Sequence, residues 1–194
     1  MQLPPPAPGE DRYRALALAN TRLLVTNELV DRLSDPAAGT AWLKDQGLAP
    51  EDGRLGEPCA IRLRAFRDHA RNLLAAFTAD AEPAPADLAA LNDALARTPA
   101  ATLLVWDKES GPRRVEPLSA DRLADTAIAR LAADTADLLT SEDASAVAAC
   151  GSPGCIRYYL RTHASRQWCS TRCGDRVRAA RHYARRTGKA EPVA

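Results

Sequence analysis

Aromatic side chains are scarce in this 194-residue chain, at 5% of its residues and with only two Phe. That scarcity argues against a β-sandwich and against an aromatic-lined ligand pocket. Histidine is rarer still, at three (His69, His163 and His182), and no Ser/His/Asp grouping is recognisable. A Walker loop, G-x-G-x-x-G, H-E-x-x-H and G-x-S-x-G are all missing. An enzyme is therefore not expected. Nothing approaches the ~20 consecutive apolar residues of a membrane span. The opening Met-Gln-Leu-Pro-Pro-Pro has neither the basic region nor the apolar run of a secretory signal. The expectation is a soluble, cytoplasmic protein with no membrane partner. Lysine is almost absent too, with 3 against 23 Arg. Beside the abundant Ala, this reflects a GC-rich coding bias, so arginine content alone does not identify a nucleic-acid partner.

What is present is an ordinary globular composition, 46% hydrophobic and 26% charged, long enough for one or two domains with a real core. The formal charge of +1 conceals an asymmetry. Residues 1–149 carry 16 basic and 23 acidic side chains, a charge of −7, and residues 150–194 carry 10 and 2, a charge of +8. An acidic body joined to a basic tail is a two-module plan, and the tail calls for an anionic partner.

Residues 1–9, rich in Pro, read as a disordered or extended lead-in. One long helix is expected from Glu10 to about Leu33, with Asn20 and Thr21 as poor helix formers within it. Asp35-Pro36 breaks the pattern, and a short helix over Thr40–Gln46 ends at Gly47. A third helix, Glu57–Ala79, would turn Ile61, Ala65, Leu73, Ala76 and Phe77 to the core with arginines opposite. A fourth spans Ala86–Arg97 with Leu88, Leu91 and Leu95 inward. Thr102–Trp106 and Arg113–Pro117 then form a hairpin about a Ser-Gly turn. Ser119, with Asp121 in the first turn, would cap a fifth helix running to about Leu139. The first module, 10–148, is thus mainly helical with a small β-hairpin.

Four of the five cysteines fall in the basic tail: Cys150 and Cys155, then thirteen residues, then Cys169 and Cys173. Two close pairs at this separation in a reducing compartment point to one structural Zn2+. Tetrahedral coordination needs each pair on a tight turn, and Gly151, Pro153 and Gly154 supply the first. The second pair opens a helix capped by Ser170 or Thr171, whose positive end favours thiolate. Residues 156–160 and 167–168 read as a hairpin between the pairs, a treble-clef-like plan over 149–188 ahead of a short tail, 189–194. A redox dithiol would need C-x-x-C spacing. His163, in the hairpin tip, is the alternative to one cysteine as ligand. Cys59 and His69 read as a small core residue and a surface histidine.

From Gly174 the chain becomes a basic helix. Val177, Ala180 and Ala184 share one narrow stripe, and Arg178, Arg181, His182, Arg185 and Arg186 fan over the other side. Arg172 and Arg176 flank them, and Arg157, Arg161 and Arg166 add charge from the hairpin. So much like charge suits phosphates, with Arg176 and Arg178 best placed for a groove. The other reading is a basic face that docks on the acidic body or on another protein's acidic surface.

Trp168-Cys169-Ser170, Cys173-Gly174-Asp175-Arg176 and Ala179-Ala180-Arg181-His182 resemble the CGNR zinc finger. Upstream, Ala19-Asn20-Thr21 and Ala41-Trp42-Leu43 before Gly47-Leu48 resemble the ABATE domain that precedes it. The resemblance implies a stress-induced transcription regulator that binds DNA, with Cys150, Cys155, Cys169 and Cys173 on the metal-ligand positions. The helical domain would sense a small-molecule effector or mediate assembly, such as a homodimer. Two departures stand out. Asp175 replaces the family's Asn and would repel an adjacent phosphate, although it can pair with Arg178. Only three residues separate the second cysteine pair, where many members have four.

Overall fold

A computed structural model describes residues 3–25, 28–97, 103–115 and 122–187. Six helices carry most of the structure: α1 (Arg14–Ala19), α2 (Pro36–Asp45), α3 (Glu57–Thr78), α4 (Pro85–Arg97), α5 (Leu123–Thr140) and α6 (Thr171–Thr187). Among the described residues, three separate two-stranded antiparallel sheets complete it: β1 (Arg22–Val25) with β2 (Glu28–Asp31), β3 (Leu103–Asp107) with β4 (Gly111–Val115), and β5 (Val147–Ala149) with β6 (Tyr158–Leu160). The protein is thus mainly α with small β-hairpins, a helical unit followed by a cysteine-centred finger. Among the described residues, no helix is long and apolar enough to cross a membrane.

The long first helix expected over 10–33 is not formed. α1 stops after six residues because Asn20 leaves the helix to bond elsewhere. Its side-chain amide donates to the Tyr158 carbonyl (2.7 Å) and its Oδ1 accepts from the Tyr158 N–H (2.9 Å). Thr21 turns its hydroxyl onto the Leu18 carbonyl (2.7 Å), and the chain continues as the β1–β2 hairpin. Of the apolar residues at helical spacing in this run, Leu16, Ala19, Leu23 and Leu33 are nevertheless buried, while Val30 is half-buried. α1 has no local side-chain cap. The Asp134 carboxylate on α5 accepts from the Ala15 N–H instead (2.6 Å), and burial raises that carboxyl above its ordinary value.

Asp35-Pro36 begins a helix rather than breaking one. The Asp35 carboxylate accepts from the Ala38 N–H (2.9 Å) and Pro36 occupies the first turn, where its missing N–H costs nothing. Gly47, at φ +66°, closes α2 with the Leu48 N–H on the Leu43 carbonyl.

The buried stripe of α3 is Ala60, Leu63, Phe66, Arg67, Ala70, Leu73 and Leu74, one step out of phase with the expected one. Ile61, Ala65 and Phe77 face solvent, Ala76 is half-buried, and Leu88 and Leu95 of α4 are exposed as well. Small alanines and a buried arginine masked the true face. Arg67 is 2% exposed and bonds Asp31 (2.5 Å) and Asp68 (3.1 Å). The Ser119 and Asp121 cap of α5 and the hairpin ends Thr102 and Pro117 lie outside the described residues, as do residues 188–194.

One core joins α1 to α5. A second joins Leu16 of α1, Leu74 of α3 and Leu138 of α5 to Val147, Tyr158 and Leu160 of the finger. Residues 3–9, expected to be disordered or extended, lie against the finger. Ala7 is buried, the Pro8 carbonyl accepts from the Leu160 N–H (2.8 Å), and the Pro5 carbonyl accepts from Arg157 (2.9 Å). Proline removes donors and leaves carbonyl acceptors, which suits an extended segment laid beside β6.

The shared second core predicts coupled unfolding. Leu138→Ala should cost ~2–5 kcal/mol and leave one thermal transition, read by calorimetry; a finger that melts separately would contradict the shared core. A pH effect follows from α4. Hydrogen bonds from His69 (2.7 Å) and Asn72 (3.1 Å), the His69 bond chiefly, hold the Asp87 carboxyl below its ordinary value despite burial. Its stabilisation is complete above the unfolded pKa of ~3.9 and is lost as pH falls through the lower folded value. The urea midpoint should therefore fall less steeply below about pH 4 in Asp87→Asn than in the wild type.

Candidate metal centre

Each cysteine pair sits on backbone that can turn tightly. Cys150 follows β5, and its N–H donates to the Arg157 carbonyl (2.9 Å). The chain then bends through Pro153 and Gly154, the latter at φ +69°, so that the Cys155 N–H reaches the Ser152 carbonyl (2.9 Å). Such a left-handed turn accommodates glycine without strain. The second pair straddles the start of α6, where the Ser170 hydroxyl accepts from the Cys173 N–H (3.2 Å) and caps the helix.

The four sulfurs converge. All lie within 4.8 Å of one another, with Cys155–Cys169 and Cys169–Cys173 Sγ separations of 3.7 Å. A tetrahedral Zn2+ with bonds of about 2.3 Å requires sulfurs about 3.8 Å apart. The donor set and its spacing therefore fit one structural zinc. Four closed thiolate positions leave no open coordination site for substrate. Cys150, Cys169 and Cys173 are buried and Cys155 is half-buried. Neighbouring thiols pull Cys150 down to about 7 and Cys173 down as well, while the Cys150 sulfur holds Cys155 and Cys169 up. Four adjacent thiols cannot all ionise alone; a cation in their midst removes that conflict.

The surroundings supply donors to the sulfurs. The Cys169 N–H approaches the Cys150 sulfur (3.4 Å), and Arg176 donates to Cys173 Sγ (3.3 Å) and to Ser152 Oγ (3.1 Å). Arg166 reaches the Trp168 carbonyl (3.0 Å) and lies over the Tyr159 ring, while the Tyr159 hydroxyl returns a bond to the Arg166 carbonyl (2.9 Å). Trp168 packs against Gly174, where a Cβ would sit 3.0 Å from the indole. The hairpin expected between the two cysteine pairs, 156–160 with 167–168, is not formed among the described residues: β6 pairs with β5 instead, and the Cys150 N–H on the Arg157 carbonyl continues that ladder, so the first pair lies inside the β5–β6 connection. His163 is exposed in the loop after β6, bonded to Ser165, and is not among the four clustered ligands. Cys59 is half-buried against the helical core, and His69 holds Asp87.

The residues expected to meet nucleic acid divide into two sets. Arg166 and Arg176 are built into the finger, Arg161 bonds the Tyr159 side chain, and Arg178 pairs with Asp175 (2.5 Å) above Trp168. Arg172, Arg181, His182, Arg185 and Arg186 are exposed on α6, and among the described residues none has an ion-pair or hydrogen-bond partner. The stripe opposite them is as expected, with Val177 and Ala184 buried and Ala180 half-buried. Sequence reasoning missed Arg157 as a finger-locking residue. It is 5% exposed and pairs with Glu10 (2.7 Å), a contact across nearly 150 positions that no local pattern signals.

With this geometry in place, comparison with known families gives two matches. The ABATE model, described as "Putative stress-induced transcription regulator", matches residues 13–142. The CGNR zinc finger model matches residues 147–186. A comparison with curated proteins finds no match to this chain.

Purified protein should carry about one zinc per chain by atomic emission, and Cys173→Ser should abolish it. Arg176→Ala should keep the fold but weaken zinc affinity by about 10–100-fold in a chelator competition, because it strips a donor from a ligating sulfur.

Proposed function

The chain belongs to the ABATE family with a C-terminal CGNR zinc finger, and on that premise we propose that it is a zinc-dependent, DNA-binding transcription regulator of the stress-response type. The observation that carries this reading is the set of unpartnered basic side chains on α6. Arg181, His182, Arg185 and Arg186 crowd one exposed face, and no carboxylate from the acidic body pairs with them among the described residues. Like charges held together on a helix are unfavourable unless an anion meets them. Phosphate groups suit guanidinium forks, and the finger anchors the start of the helix through Cys173, so one element carries all of them.

In this reading zinc supplies no chemistry beyond fixing the helix, and no catalytic step is involved. Arg172, Arg181, Arg185 and Arg186 contact the backbone, while Arg161 and Arg178 flank the contact surface. Arg166 and Arg176 support it from within the finger. The helical unit is the part that senses or assembles. A groove of about 270 Å3 between α3, α4 and α5, lined by Phe66, His69, Ala94 and Ile128, falls just below the size range of small-ligand pockets.

Fluorescence anisotropy against duplex DNA tests the proposal. Affinity should fall steeply with added salt, and converting Arg181, Arg185 and Arg186 to Ala should flatten the log–log slope by about 3. Asp175→Asn, which removes the carboxylate beside the helix start and releases Arg178, should tighten binding. A salt-independent affinity, or one unchanged by the triple substitution, would instead favour an acidic protein surface as the partner of α6.

A further inference from the structure

The β3–β4 hairpin, which neither the metal centre nor α6 uses, has a surface that does not match its isolation. All five residues of β3 are exposed, and four are apolar: Leu103, Leu104, Val105 and Trp106, with Leu104 at 70% and Trp106 at 74%. Neither strand is hydrogen-bonded to any third strand among the described residues. A lone two-stranded hairpin is marginal in water, and an apolar edge strand is a template for pairing.

The two edges differ. Trp106 pairs with Pro112, and proline has no N–H. That pair must therefore be the type whose polar groups point away from each other. By alternation, Leu104 and Arg114 form the same type. The outer edge of β4 thus lacks a donor at Pro112. The outer edge of β3 keeps all of its groups, the N–H and C=O of Leu104 and of Trp106.

We infer that β3 is a self-pairing edge, and that a second copy of this chain docks on it antiparallel about a two-fold axis through Val105. In that register Leu104 faces Trp106 of the partner subunit, and Trp106 faces the partner's Leu104. The four outward-pointing backbone groups on each copy are then satisfied by the same four on the other. Neighbouring registers carry one of these pairs past the end of the strand. The side chains agree with the backbone. Leu104, Trp106 and Pro112 share one face of the hairpin with Arg114, so pairing sets leucine against tryptophan twice, each apolar row running Pro112, Trp106 and the partner's Leu104. Charge also permits this occupant: the charged residue of β3, Asp107, faces the partner's Leu103, so two copies bring no like charges together, and the arginines remain on the outer strands. The contact is isologous and closed, giving a dimer rather than a filament. It is independent of the DNA-binding reading.

Sedimentation of the full zinc-loaded chain tests this, with far-UV dichroism and zinc content as controls for folding. The wild type should be dimeric at micromolar concentration. Val105→Glu and Val105→Lys each place like charges opposite one another at the axis and should raise the dimer dissociation constant about tenfold or more. Mixed in equal amounts, the two should re-associate. Leu104→Pro removes one outward donor without touching the bonds between β3 and β4, and should also yield monomers. A monomeric wild type, a dimer indifferent to these changes, or charge variants that fail to re-associate would overturn the assignment. A monomeric wild type whose duplex-DNA affinity falls in Val105→Glu would mark the hairpin as a nucleic-acid arm instead, and would equally overturn it.

Discussion

A single side-chain amide ties the two halves of this protein together. Asn20 offers Tyr158 one donor and one acceptor, the same two groups a neighbouring strand would present. It thereby ends α1, frees the next residues to form β1, and fixes β6 against the helical unit. Arg71 on α3 reinforces the junction by donating to the carbonyls of Ala19 (2.5 Å) and Ile156 (2.9 Å) and lying over the Tyr158 ring. These contacts sit over a core that helices and finger contribute to jointly. The finger is thus a docked extension of the fold rather than a bead on a string.

Electrostatics partition the basic residues of the finger. A zinc ion with four thiolates carries a formal charge of ~−2, and burying that charge requires nearby donors. Arg176 meets the need directly through Cys173 Sγ. Arg157 is turned the other way, to Glu10, and bolts the lead-in to the metal-bearing loop. What remains on α6 is surplus to the finger's own needs, and the proposed DNA contact rests on that surplus.

The cysteine cluster was legible because metal coordination imposes spacing on sequence: tight pairs, turn glycines and a capped helix are all local. The apolar stripe of α6 was legible for the same reason, since Val177, Ala180 and Ala184 obey a helical period undisturbed by tertiary demands. The phase of α3 was not, because its core face carries Arg67, whose burial depends on Asp31, 36 positions away. The run through Asn20 was misread as continuous helix because its interruption is enforced by Tyr158, 138 positions on. Contacts of similar range hid the docking of residues 3–9 on the finger. Local chemistry wrote the metal site, and long-range partners wrote the exceptions.

The strap formed by Pro5, Pro8 and Glu10 across Arg157 and Leu160 sets the timing of assembly. Synthesis proceeds from the N-terminus, so these residues leave the ribosome long before their partners exist. They wait through the making of every helix of the body, and only then does the loop between them close. Closing a loop of this length costs chain entropy that nothing offsets until both ends are in place. The strap's partners, Arg157 and Leu160, are made before Cys169, so a nascent chain stalled just before Cys169 already contains both ends of the strap but only half of the ligand set.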